Sequence, residues 1–125
     1  MLIAAAVLAL VAAAVAFYLF MLESLRWTDP GTAGIFTFRG PPAATAQLAY
    51  NLGFHNLFLA VGAVLGVLLL VAGNPVAGLT LMTFTTACLL LASVVLVLSE
   101  RTLARLSLVQ GAPAGFSLVF GLFGT

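Results

Sequence analysis

Long runs without a charged side chain limit how this chain can fold more than any other feature. The first 22 residues contain no Asp, Glu, Lys or Arg, and about 20 consecutive apolar residues are enough for an α-helix to cross a membrane. Three further apolar runs follow. The sequence therefore predicts four membrane-spanning helices, at about residues 1–23, 43–72, 76–98 and 103–123.

The composition points to the same class of protein. Of the 125 residues, 64% are apolar and 6% are charged, whereas about 25% of the residues in soluble domains are charged. This excludes a soluble globular protein, and four spans leave no room for a catalytic domain outside the membrane. The net charge of +1 also provides no basic surface for nucleic acid, so we expect no nucleic-acid partner.

The first run also has a feature of a signal peptide, because Ala14, Val15 and Ala16 have the small-x-small form of a cleavage site. Two observations oppose that interpretation. No positive charge precedes the run, and apolar residues continue through Phe17 and Leu19 beyond the supposed cleavage site. We therefore predict an uncleaved helix.

The segments between the spans predict the architecture. Residues 28–42 contain three prolines and three glycines, a density that predicts a loop, which either connects two spans or lies along the membrane surface. The links at 73–75 and 99–102 are short, so neighbouring helices run antiparallel. We predict one all-α domain over residues 1–125, a four-span antiparallel transmembrane helical bundle.

The arginines predict the orientation of this bundle. Arg26 and Arg39 belong to the first link, and Arg101 and Arg105 lie in or beside the third, which places all four on one side. Positively charged links tend to stay in the cytoplasm. Both termini are therefore predicted to face outward, in the plasma membrane of a bacterium.

A polar side chain inside a membrane costs free energy unless it finds a partner, so such residues are candidates for function. Gln47, Asn51 and His55 follow one another at four-residue intervals on one helical face. Polar groups of the first and fourth helices fall at a similar depth. The candidate ligand-binding residues are Tyr18, Glu23, Asn51, His55, Asn56 and Gln110. In the alternative interpretation, these side chains only hydrogen-bond to one another and stabilise the bundle.

Two other features bear on chemistry and packing. Cys88 and His55 are the only cysteine and histidine, so one chain forms neither a usual zinc site nor a bis-histidine haem site, and we predict no metal and no cofactor. Common enzyme motifs are absent as well. Gly62 and Gly66 form a small-xxx-small pair, which serves either packing inside the bundle or a dimer seam.

Three stretches together resemble a family of small four-helix bacterial membrane proteins catalogued as a domain of unknown function. They are a Leu-Glu-x-x-x-Trp pattern at 22–27, an Asn-x-Gly-x-x-Asn pattern at 51–56 and a Gln-x-x-Pro pattern at 110–113. The chain departs from the family pattern at Leu52 and His55, where the family has Gln and Tyr. The resemblance implies the four-helix fold and supports the choice of polar residues.

Three hypotheses of function are compatible with the sequence. The leading one is a protein in contact with membrane lipid that binds or translocates a small lipophilic molecule in a polar pocket near the cytoplasmic face. The second is an accessory or structural subunit of a homo-oligomer or larger membrane complex. The third, less favoured, is an intramembrane isomerase-type enzyme, with Glu23 as the base and His55 or Tyr18 as the acid.

Overall fold

Five α-helices make up most of the protein. The computed structural model describes residues 1–36 and 42–124, and no strand occurs in those two ranges. The helices are α1 (Leu2–Phe20), α2 (Pro30–Phe36), α3 (Ala46–Val71), α4 (Pro75–Ser99) and α5 (Ala104–Phe123). A π-helical turn, Met21–Leu25, continues α1. The predicted all-α class is confirmed.

The four long helices are long and apolar enough to cross a membrane. A membrane interior offers no water to the backbone, and an α-helix satisfies its N–H and C=O groups within the segment. This is why apolar runs of this length fold as helices and not as single strands. The protein is a small multi-pass membrane protein.

The four long helices pack as a ring in which each one contacts two neighbours. The contacting pairs are α1 with α3, α3 with α4, α4 with α5, and α5 with α1. The last pair closes the ring at the ends of the chain, where Ser117 Oγ donates a 2.7 Å hydrogen bond to the backbone oxygen of Ala5. Each helix is antiparallel to both of its neighbours, since α3, α4 and α5 follow one another through short links and the N-terminal part of α1 meets the C-terminal part of α5.

The centre of the bundle is built mainly from alanine. One cluster joins α1, α3, α4 and α5 through fully buried side chains that include Ala16, Ala63, Leu89 and Ala114. Lipid is as apolar as these side chains, so helices in a membrane associate by close packing and not by escape from water. Small side chains allow that close packing.

Glycines bring α3 and α4 closest together. A methyl group at Gly66 would lie 2.7 Å from the backbone nitrogen of Met82, and one at Gly78 would lie 2.5 Å from the backbone nitrogen of Leu70. Gly62 faces the Thr85 side chain of the same neighbouring helix. The small-xxx-small pair of Gly62 and Gly66 therefore packs inside the bundle.

The link between these two helices is equally tight. Gly73 adopts a φ of +93°, a conformation that costs glycine little. The Asn74 side chain then accepts a hydrogen bond from the backbone nitrogen of Ala77 and caps the N-terminus of α4. Pro75 opens the helix, where its missing N–H removes no helical hydrogen bond.

The prediction that residues 28–42 form only a loop is wrong in part, because α2 occupies Pro30–Phe36. Pro30 begins that helix, and a proline is tolerated in a first turn. Thr32 Oγ1 donates to the backbone oxygen of Arg26 at 2.6 Å, and the rings of Trp27 and Phe36 lie 5.1 Å apart. The rest of the predicted loop between α2 and residue 42, with Arg39, lies outside the described residues.

Substitution of Gly78 tests the close approach of α3 and α4. Gly78→Ala would press a methyl group against the α3 backbone, so we expect the free energy of unfolding to fall by about 1–3 kcal/mol. Titration of the protein in mixed micelles with SDS, followed by circular dichroism, measures the change. Gly31→Ala is the control, because nothing lies within 4 Å of an added methyl group there. Equal destabilisation by both substitutions would contradict the tight contact.

Candidate functional site

Glu23 is the buried acidic residue of the described chain, and it lies in the π-helical turn that ends the first span. It continues the inward face of α1, two helical turns beyond Ala16. In the turn, the backbone N–H of Arg26 bonds to the oxygen of Met21, five residues earlier. Such π-helical turns occur often at functional sites.

Asn56 of α3 holds one side of the Glu23 carboxylate. Its side-chain nitrogen Nδ2 donates a 2.6 Å hydrogen bond to Glu23 Oε1. The other oxygen, Oε2, accepts no hydrogen bond from residues 1–36 or 42–124. Glu23 is 9% exposed, so the site is enclosed on most sides while half of the carboxylate's hydrogen-bonding capacity is unused.

Gly53 allows α3 to reach this turn. A methyl group at Gly53 would overlap the Ser24 hydroxyl and lie 3.0 Å from the Ser24 backbone nitrogen. Ser24 Oγ in turn donates to the backbone oxygen of Tyr50 at 2.8 Å. The glycine and the second asparagine of the Asn-x-Gly-x-x-Asn pattern thus act together, since Gly53 permits the approach and Asn56 makes the hydrogen bond.

Trp27 ties the chain after the π-helical turn to the start of α3. Its indole nitrogen Nε1 donates to Thr45 Oγ1 at 3.1 Å. Below this contact, the Phe20 and Phe54 rings meet edge to face, with centroids 5.2 Å apart. These contacts hold the two segments that carry Glu23 and Asn56.

Only some of the predicted ligand-binding residues face the interior. Glu23 and Asn56 meet. Gln110 is 7% exposed on the inward face of α5, but the contacts of Ser117 and Gly121 with Ala5 place it level with the alanine cluster of α1, about 10 Å or more from Glu23 along the bundle. The Gln110 side chain makes no hydrogen bond to the described residues. We call Glu23 and Asn56, which are in contact, the inner polar layer.

The other predicted residues lie on the outer surface. Tyr18 is 51% exposed, and Asn51 and His55 are exposed on α3. The four-residue spacing places Asn51 and His55 on one face as predicted, but that face points outward. Asn56, one residue further, is rotated by about 100° and points toward α1.

Two buried hydroxyl residues were missed by the sequence analysis. Ser93 of α4 is 4% exposed and Ser107 of α5 is 6% exposed. Serine is common in membrane helices, where its hydroxyl often bonds to its own backbone, so neither residue type nor spacing marks these positions. The one available signal was their place on the inward faces of their helices.

The three arginines that the structure describes, Arg26, Arg101 and Arg105, lie at the ends of spans on the same side of the bundle as the inner polar layer. Among the described residues, no group of three or more His, Cys, Asp or Glu side chains is placed to hold a metal ion. The inner polar layer at this end is therefore a carboxylate and an amide, with the arginine guanidinium groups nearby.

Fold and site together define a four-helix membrane protein with a buried carboxylate–amide pair near one end. A family model described as "Protein of unknown function (DUF1304)" matches residues 2–122. The chain belongs to that family, which confirms the resemblance found in the three sequence patterns. No curated protein and no solved structure matches the chain.

A double-mutant cycle tests the hydrogen bond between Glu23 and Asn56. For Glu23→Ala and Asn56→Ala, we expect a coupling free energy of about 0.6–1.7 kcal/mol, the range found for hydrogen bonds between membrane helices. SDS-induced unfolding of the single and double variants measures it. The matched cycle of Glu23→Ala with His55→Ala should give no coupling, because His55 points outward. Equal coupling in both cycles would argue against the specific pair.

Proposed function

We propose that this protein binds a small lipophilic molecule carrying an N–H or O–H group, at Glu23 in the inner polar layer. The observation that carries the proposal is the unused oxygen of the Glu23 carboxylate. Within the described residues, Glu23 Oε2 is not among the buried atoms that lack a partner, so it is accessible and can accept a hydrogen bond from a ligand. Here one oxygen is held by Asn56 at 2.6 Å and the other has no partner among the described residues.

The chemistry of the site selects the ligand class. Glu23 Oε2 accepts a hydrogen bond from an amine or a hydroxyl, and a cationic amine adds the attraction of opposite charges. The neighbouring side chains of the same two segments are apolar, among them Leu22 and the paired rings of Phe20 and Phe54, so the rest of the ligand is apolar. Such a molecule reaches the site from the membrane.

A transporter and a binding protein both bind their ligand, and we propose this binding step for the protein. In this proposal the arginine-bearing end of the bundle faces the cytoplasm, because positive residues favour that side. The ligand then enters from the cytoplasmic leaflet.

Three probes that differ only in one terminal group test the proposal. Hexadecylamine, hexadecanol and hexadecane are titrated into the protein in lipid nanodiscs, and the fluorescence of Trp27, the one tryptophan, is recorded. We expect the amine and the alcohol to bind and hexadecane to leave the signal unchanged. Glu23→Gln should weaken amine binding by about tenfold or more, since a hydrogen bond to a charged group contributes about 1.5–3 kcal/mol.

His55→Gln serves as the control for this experiment. The residue is next to Asn56 in the sequence but exposed on the outer surface, so its replacement should leave amine binding unchanged. Binding of all three probes with equal affinity, or amine binding that survives Glu23→Gln in full, would overturn the proposal.

A second candidate function is that of a subunit in a larger membrane complex. The observation that favours it is the outward-facing polar stripe formed by Gln47, Asn51 and His55 on α3, all of them exposed. Polar side chains that face lipid cost free energy, and a neighbouring membrane helix with hydrogen-bonding groups removes that cost.

Replacement of the stripe tests this second function. The triple variant Gln47→Leu, Asn51→Leu and His55→Leu should reduce the protein from a high-mass complex to a free form on blue native gels of digitonin-solubilised membranes. The variant Gln47→Asn, Asn51→Gln and His55→Gln keeps polar groups and should retain the complex. If the wild-type protein runs as the free form, the subunit function is wrong.

A further inference from the structure

A groove runs along the outside of the bundle between α4 and α5. It has a volume of about 540 Å³ and is open along one side. On α5 it is lined from Ala104 to Val119, and on α4 from Leu90 to Val97. At 1.5 Å per residue, the α5 wall is about 23 Å long. One leaflet of the hydrocarbon core is about 15 Å thick, so the groove is long enough for a lipid chain of that leaflet.

Small residues form part of the groove wall and make it narrow. Gly111, Ala112 and Gly115 lie along it on α5. A methyl group at Gly111 would overlap the Ser93 hydroxyl, and one at Gly115 would lie 3.4 Å from Leu90 Cδ1. The two helices therefore meet closely at its base, and a single slender chain fits better than a bulky ring system.

One polar group in this apolar groove has no partner. Ser107 lines the groove and is 6% exposed, and its hydroxyl makes no hydrogen bond within the described residues. Ser93, which also lines the groove, differs because its hydroxyl donates to the backbone oxygen of Leu90 at 2.7 Å. A buried hydroxyl without a partner is rare in folded proteins. We therefore expect a molecule bound in the groove to supply a hydrogen-bond acceptor for the Ser107 hydroxyl.

Positive charge lies at the same end of the groove as Ser107. Arg105 precedes Ser107 by two residues and Arg101 begins the short turn before α5, and both side chains are exposed. Glu100, which is also exposed, offsets one of these two charges, and the remaining positive charge favours an anionic group at this end. From its interior toward the arginine end, the groove therefore suits an apolar chain, then a hydrogen-bond acceptor at Ser107, then an anionic group at Arg105. A phospholipid carries its acyl chain, ester carbonyl and phosphate in this order.

We propose that the α4–α5 groove binds one acyl chain of an anionic phospholipid. Ser107 Oγ donates to the ester carbonyl oxygen of that chain, and Arg105 attracts the headgroup. This site is separate from the one proposed at Glu23. Gln110, one turn from Ser107 on α5, faces the interior of the bundle, and neither it nor Glu23 or Asn56 lines the groove.

Native mass spectrometry of the full chain, titrated with phosphatidylglycerol or phosphatidylcholine of identical acyl chains, tests the site. We expect tighter binding of phosphatidylglycerol. Ser107→Ala should weaken binding of both lipids by about 2- to 12-fold, the value of one neutral hydrogen bond. Arg105→Gln should remove the preference for phosphatidylglycerol, whereas Arg26→Gln, which follows α1 at the same end of the bundle but does not line the groove, should preserve it.

A matched pair of substitutions tests the groove itself. Ala112→Leu fills the groove and should weaken the binding of both lipids by at least about fivefold. Ala92→Leu, on an exposed face of α4 outside the groove, should leave the binding of both lipids unchanged. Circular dichroism melting of each variant reports whether it is folded.

Three results would overturn the lipid site. They are equal binding of the two phospholipids to the wild-type protein, unchanged binding by Ser107→Ala, and a dimer that Ala112→Leu disrupts. The last result would assign the groove to a second copy of the chain. Because Glu23→Gln should leave phospholipid binding unchanged, failure here and failure of the proposed function are distinguishable.

Discussion

Close packing of small side chains is the constraint on which this structure depends. Surrounding lipid is as apolar as leucine, so burial of apolar surface does little to bring the helices together. The bundle instead relies on alanines at its centre and on Gly66 and Gly78 between α3 and α4, where the backbones are in direct contact. Larger residues at these positions would separate the helices and remove the dispersion contacts that hold them.

Because lipid tails offer no hydrogen bonds, each polar side chain within the spans needs a partner. Three of the six buried hydroxyls of the described residues, on Thr85, Thr86 and Ser93, bond to the backbone of their own helix, and two more, on Thr32 and Ser117, bond to the backbone of another segment. Glu23 and Asn56 are different, because they join two helices and leave part of the carboxylate unused. Ser107 is the other exception, with a buried hydroxyl that no described residue satisfies. We place the two proposed binding sites at these positions because no contact in the fold explains why one oxygen of the Glu23 carboxylate and the Ser107 hydroxyl lack hydrogen-bond partners.

Sequence alone predicted the number, approximate bounds and class of the spans, because charge-free runs of this length have one stable form in a membrane. It does not predict α2, since the density of prolines and glycines indicates a loop, whereas Pro30 begins a helix. Spacing placed Asn51 and His55 on one face but does not tell which face points inward. That choice depends on Gly53 and Ser24 meeting between the segments, a tertiary contact that no local pattern contains.

The tight link at Gly73 and Asn74 has a consequence for the order in which the bundle assembles. It joins the two helices whose backbones approach most closely, so α3 and α4 form a hairpin from contacts that are near in sequence. The seam between α1 and α5 joins Ser117 to Ala5, which are 112 residues apart. Closing so long a loop costs more chain entropy than closing a hairpin. Loop length therefore favours a route in which the α3–α4 contacts form early and the contact between α1 and α5 forms last.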